Sequence, residues 1–272
     1  MTDTLKDQLI ALASTGDANQ MRTLLSTTKQ PPSQETIQEV LTTAVKNCQF
    51  DAVRFLLAKY RSVPVNEEIV RAAVNTGSIP LMQALLTKDP SVINMQFDMR
   101  GTPLIVACMG RQHIDFLRFL LEAGADPNQE PDAAAYPLAL VAGLYKDTAA
   151  IDLLLKYGAK VENSGALAAA ARRGNEPMMR YLLEKGARPD SDAPSVGTGA
   201  SPLHVAVKAG HVGVARILMQ HGADPRTAES SGKSRDREPA TPGTGHPAFG
   251  LNTITSISST IYKSIKMSSF FI

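Results

Sequence analysis

The sequence predicts an all-α solenoid of stacked helix pairs, and three observations carry that prediction. The first is composition. Of 272 residues 43% are hydrophobic but only 5% aromatic, with no Trp, so a core of Leu, Ala and Val must form, which suits thin helical layers. The second is a recurring pair of anchors: a Leu or Ile, often with a small residue three places on, and a Leu-Leu or Leu-Met pair 15 or 16 residues after it. The third is spacing. Successive pairs stand 28 to 36 residues apart while the anchor-to-pair distance holds, as rigid helix pairs joined by loops of differing reach would give.

In chain order, Leu9 leads to Leu24-Leu25, Leu41 to Leu56-Leu57, Ile69 to Leu85-Leu86 and Leu104 to Leu120-Leu121. Leu138 then leads to Leu154-Leu155, Leu167 to Leu182-Leu183 and Leu203 to Leu218-Met219. The last copy shows the local chemistry best. Ser201 is an N-cap whose hydroxyl accepts an orphan N–H, and Pro202 suits the first helical position. Gly210 stops that helix in the left-handed conformation. Val212 to Gln220 form a second helix with Val214, Ile217, Leu218 and Met219 as its apolar face. Gly222 stops it, and Asp224-Pro225 turns the chain outward. One such unit cannot bury its apolar faces alone, so the copies must stack.

Residues 101–128, with Gly-Thr-Pro-Leu-Ile-Val-Ala and Leu-Leu-Glu-Ala-Gly-Ala-Asp-Pro-Asn, closely resemble an ankyrin repeat. So do residues 199–225, with Ser-Pro-Leu-His-Val-Ala, Gly-His and His-Gly-Ala-Asp-Pro. The resemblance spans about residues 5–225. It is strong from 101 onward and degenerate before, where the first three copies lack the Gly-Ala-Asp ending and the first reads as a terminal cap. It implies an ankyrin-repeat α-solenoid over residues 1–225, with β-hairpin fingers and first helices lining a concave groove. Long spacings place fingers at 87–101, 122–136 and 184–200; short ones leave little room at 58–65 and 156–164. The resemblance also implies a non-enzymatic protein-binding module, and assigns His204 and His211 to hydrogen bonds that tie turns to helices.

Residues 226–272 break the pattern. They are rich in Ser, Thr, Gly and Pro up to 247, then in Ser, Thr and Ile, and read as a disordered or weakly structured tail. Ile254, Ile257, Ile261 and Ile265 are nonetheless spaced as one face of a helix, which leaves open a peptide that docks on the last repeat, over Val214, Ile217 and Met219, or on a membrane surface.

Composition excludes several classes. A net charge of +2 argues for neither nucleic acid nor membrane. The charged start, with Asp3, Lys6 and Asp7, is no signal peptide, and no stretch reaches the roughly 18 apolar residues of a membrane span, so a cytoplasmic or nuclear protein is expected. Cys48 and Cys108 fall two repeats apart, too far to bridge, and are expected as core thiols. Gly232-Lys233-Ser234 lacks the first glycine and the strand of a phosphate loop, and Gly197-Thr198-Gly199 reads as turn chemistry. His204, His211 and His221 lack a Cys or carboxylate to complete a metal set. No catalytic, metal or cofactor site is expected.

Binding has candidates. Positions five and six after each anchor end the first helix and should face the groove: Lys46, Met109, Arg172, Arg173 and Lys208 stand there, with Arg111 and Lys146 just beyond. No acidic residue joins this set, whereas the fingers carry Asp98, Asp126, Glu130, Asp132, Asp190 and Asp192. A positive groove favours a protein or peptide partner that is acidic or phosphorylated, although basic residues at helix C-termini also simply complement the dipole. Phe97, Met99, Arg100 and Tyr136 are candidate finger contacts, the apolar ones as anchors or as finger-on-finger packing. Asn128, eight residues after Leu120, resembles the asparagine-hydroxylation context of some ankyrin repeats; the alternative is an Asn capping its own turn. The alternative function is a regulatory subunit that covers an enzyme's site, with an enzyme of cryptic site last.

Overall fold

Paired helices make up the regular structure. The computed structural model describes residues 2–129, 135–190 and 201–224, and among them are fourteen α-helices and one 3₁₀ turn, Pro90–Asn94. They divide between two compact units, residues 1–134 and 135–272. The first unit holds the pairs α1 (Thr2–Thr15) and α2 (Ala18–Thr27), α3 (Gln34–Lys46) and α4 (Phe50–Lys59), α5 (Glu67–Thr76) and α6 (Ile79–Lys88), α7 (Pro103–Met109) and α8 (Ile114–Glu122). The second holds α9 (Pro137–Leu144) and α10 (Ala149–Lys156), α11 (Ala166–Arg173) and α12 (Glu176–Glu184), α13 (Pro202–Lys208) and α14 (Val212–Gln220). Within each unit the first helices pack side by side in chain order, α1–α3–α5–α7 and α9–α11–α13, with second helices beside them. All seven anchors, from Leu9 to Leu203, are buried.

Local chemistry explains why each pair starts and stops where it does. Ser33, Asn66, Thr102 and Ser201 are N-caps of α3, α5, α7 and α13, each accepting the N–H three residues on. Each such cap contributes about 1 kcal/mol. At the first-helix C-terminus the chain enters the left-handed region at Gly16, Cys48, Gly77, Arg111, Gly174 and Gly210. The next N–H then reaches back to a residue of the last helical turns, Gln49 to Ala44, Gln112 to Ala107, Asn175 to Ala170 and His211 to Ala206. This closes the helix end in the manner of a Schellman motif. The residue three after the anchor is therefore both a close-packing position and a backbone acceptor.

The Gly-Ala ending has the same physical basis one helix later. Gly124, Gly158, Gly186 and Gly222 all have φ near +90°, and the following Ala donates to the first Leu of the pair: Ala125 to Leu120, Ala159 to Leu154, Ala187 to Leu182 and Ala223 to Leu218. All four alanines are buried. The first three repeats, lacking this ending, stop their second helices otherwise. Thr28 returns both N–H and hydroxyl to Leu24, and Asp89 caps the 3₁₀ turn through Ser91.

Several expectations change in the structure. The finger at 87–101 is the 3₁₀ turn followed by one antiparallel bridge, Phe97 to Gly101. Met99 and Gly101 both have positive φ, so the chain reverses before a ladder can extend. The fingers at 122–136 and 184–200 run onto 130–134 and 191–200, outside the described residues. So do Glu130, Asp132, Asp192, the Gly197–Gly199 turn, the Gly232–Ser234 segment and the tail from 225. Phe97 is not an exposed anchor but fully buried, 0% accessible, because its ring is among the largest side chains available to fill the space beneath the turn. Cys108 is a core thiol as expected, and burial pushes its pKa up to about 12, but Cys48 is exposed. It occupies the left-handed position that ends α3, a site that lies at the helix end rather than on the packed stripe. Val214 and Ile217 are buried, and the exposed apolar residue of α14 is Val212.

Candidate interaction surface

In residues 1–134 the predicted contact residues gather around the C-terminal ends of α3 and α7 and the turn before α7. Lys46 is exposed in the last turn of α3 and pairs with Glu68 of α5 at 3.1 Å. The set itself carries no acidic residue, but the first turn of α5 beside it supplies Glu67 and Glu68, and Glu67 Oε2 accepts the Asp98 N–H at 3.1 Å, propping the turn that carries Met99 and Arg100. Met99 is 74% and Met109 47% exposed. Met99 lies in the turn before α7 and Met109 is the last residue of that helix. Arg100 and Arg111 are both exposed and flank them in sequence. Arg111 is held with φ +51°, where four other repeats place Gly.

In residues 135–272, Tyr136 is half-buried at the N-cap of α9, and Lys146 is exposed after its C-terminus. Arg172 and Arg173 are exposed in the last turn of α11, and Lys208 is exposed in the last turn of α13. Since α11 and α13 pack directly, their axes lie roughly 8–10 Å apart. These three cations share one end of one helix row, and no ion pair holds any of them among the described residues.

The C-terminal end of α11 is fastened by the next repeat. His211 Nε2 donates to the Arg172 carbonyl at 3.2 Å. The same fastener recurs with a different side chain in the first unit. Gln49 Nε2 donates to Ser14 O, and Gln112 Nε2 to Val74 O and Asn75 O. In each case a glycine in the preceding repeat makes room: a Cβ on Gly16, Gly77 or Gly174 would lie within 2.6 Å of the fastening side chain. Sequence reasoning found His211 through resemblance but missed the two glutamines. The signal was present, since each follows a left-handed residue one repeat after a glycine.

Loops are tied likewise. Asn94 donates to Gly124 O and accepts the Asp126 N–H, each at 2.9 Å, while Asp190 accepts the Asp224 N–H at 3.2 Å. Asp126 in turn accepts the Asn128 N–H at 2.8 Å. The acids read as negative finger tips are here partly spent on backbone groups.

The helix pairs, left-handed ends and inter-repeat fasteners form a repeating frame, and the family model described as ankyrin repeats (3 copies) matches residues 41–131 and 138–229. The chain belongs to the ankyrin repeat family. Over 156 residues it is 33% identical to the ankyrin repeat protein nuc-2 of Neurospora crassa, covering 55% of this chain and 14% of that protein. Over 72 residues it is 40% identical to the mouse 2-5A-dependent ribonuclease, covering 26% of this chain and 10% of that protein. It therefore spans only a small part of these curated relatives. Among solved structures, the human ASB11 ankyrin repeat domain superposes with a TM-score of 0.61 at 21% identity, over 80% of this chain and 98% of that one. Ankyrin repeats are protein–protein interaction modules, and among the described residues no helix is long and apolar enough to cross a membrane.

Proposed function

We propose that this ankyrin repeat chain is a non-enzymatic binding module that holds an acidic or phosphorylated segment of a partner protein along the ends of its first helices. One observation carries the reading: Arg172, Arg173 and Lys208 are exposed together at the ends of two packed helices, with no acidic partner among the described residues. Arginine forks there suit carboxylate or phosphate oxygens bidentately. The first unit carries a contact set of its own, in which Met99 and Met109 are flexible apolar anchors and Arg100 and Arg111 add charge, while Lys46 is partly neutralised by Glu68. Tyr136 and Lys146 extend the set, and Asn128 is a modification site in this reading.

The test is recovery of partners from native cells by the intact chain and by Arg172→Glu/Arg173→Glu, compared by quantitative mass spectrometry. The expected result is loss of at least one recovered partner with the variant, regained when acidic residues of that partner are changed to Lys. Equal recovery by both proteins refutes the acidic-partner reading. Turnover of a substrate by the purified chain refutes the non-enzymatic one.

A further inference from the structure

A second surface lies on the other helix layer of the first unit. Between α4 and α6 runs a groove of about 680 Å³, within the usual range of ligand sites. Its floor is apolar, with Phe50, Leu57 and Ala84 among the lining residues, and Phe50 remains 37% exposed. Its rim is basic: Arg54, Arg61 and Lys88 line it and no acidic side chain does. Lys88 is already engaged, donating to the Arg61 carbonyl at one end of the groove. The two arginines are exposed and in no ion pair among the described residues.

Elsewhere side chains of adjacent second helices meet across the gap between them. Beside α2, the Arg22 guanidinium covers the Phe55 ring at 5.2 Å. In the second unit, Asp152 of α10 is clasped by Tyr181 and Lys185 of α12. Among the described residues no ion pair or cation–π contact links the α4 and α6 side chains lining the middle of the groove. The lining positions recur three and four residues apart on both sides, from Phe50 to Arg61 and from Pro80 to Lys88, so the stretch walled by both helices runs along their axes for roughly 12 Å, about two turns of a third helix. A ridge of side chains at i, i+3/i+4 and i+7 is the shape that fills it.

We infer that the α4–α6 groove is a docking site for an acidic amphipathic helix of another protein, its apolar stripe on the Phe50, Leu57 and Ala84 floor and its carboxylates on Arg54 and Arg61. Charge selects this occupant over the chain's own tail. The helix-spaced Ile254–Ile265 segment is followed closely by Lys266, contains Lys263, and carries no acidic residue, so it would bring cations to a cationic rim. The site shares no residue with the surface proposed above, and either reading stands if the other fails.

The test uses the full-length chain as bait for a displayed library of 15-residue helical peptides, with counter-selection against Arg54→Glu/Arg61→Glu. Surviving clones should carry Asp or Glu flanking an i, i+3/i+4, i+7 apolar stripe. As synthetic peptides they should bind the double variant, and separately Ala84→Arg, at least tenfold more weakly than the parent chain. Melting curves of the variants should match the parent, and Arg172→Glu/Arg173→Glu should leave binding unchanged. Loss of every clone on counter-selection, enrichment of basic peptides, or tighter binding by a synthetic 254–267 peptide than by the acidic clones would each overturn the proposal.

Discussion

The fastening of α11 by His211 makes a quantitative prediction about Gly174. Its φ of +65° is one that a side chain adopts at a cost of about 1 kcal/mol. An added Cβ would lie 2.6 Å from His211 Nδ1, so the imidazole must swing away and surrender its bond to the Arg172 carbonyl, worth about 1 kcal/mol. Gly174→Ala should therefore destabilise by about 2 kcal/mol. Gly210 is the control: its φ is +76° but a Cβ there meets nothing within 4 Å, so Gly210→Ala should lose only the conformational part, about 1 kcal/mol. In a His211→Ala background the Gly174→Ala effect should also fall to about 1 kcal/mol, a coupling that a double-mutant cycle reads directly. Urea denaturation followed by circular dichroism supplies the midpoints, compared at a common m-value, and amide exchange at the C-terminus of α11 locates the loss. Equal effects at Gly174 and Gly210, or a Gly174→Ala effect indifferent to His211, would refute the reasoning.

Three further outcomes are expected. Arg111 sits at φ +51° where four other repeats have Gly, so Arg111→Gly should raise the unfolding free energy by up to about 1 kcal/mol as strain is relieved, read as a higher urea midpoint; a lowered midpoint would show that the side chain stabilises its turn. Phe97→Ala should destabilise by about 3–5 kcal/mol through the cavity it leaves, whereas Met99→Ala, at an exposed position, should stay within about 0.5 kcal/mol; similar effects would contradict the burial of Phe97. The hydroxyl of Tyr181, and then Lys185, hold the Asp152 carboxyl below its usual 3.8. Its folded pKa being depressed, the stabilisation is complete above the ordinary carboxylate value and fades as pH falls through the lowered one, so the melting temperatures of the parent and Asp152→Asn should differ at pH 7 and draw together as pH falls below the ordinary carboxylate value.

Everything that repeats within about 16 residues of chain was legible in the sequence. Ser201 and Pro202 mark a helix start, Gly210 and Gly222 mark helix ends, and the seven anchors mark buried faces, because capping, left-handed glycine and helical periodicity act between near neighbours. The basic residues ending α11 and α13 were legible for the same reason. Only the tertiary structure decided which side chains meet across repeats. Glu68 reaches Lys46 over 22 positions and His211 reaches Arg172 over 39, distances in sequence that the variable loops do not hold constant. Phe97 was read either as an exposed finger anchor or as packing, a choice its turn alone could not make; the structure buries it. Cys48 was read as core because its helix was; the left-handed residue ending that helix put it outside. The α4–α6 groove had no sequence signature, since an uncovered face differs from a covered one only in what the neighbouring repeat extends across it.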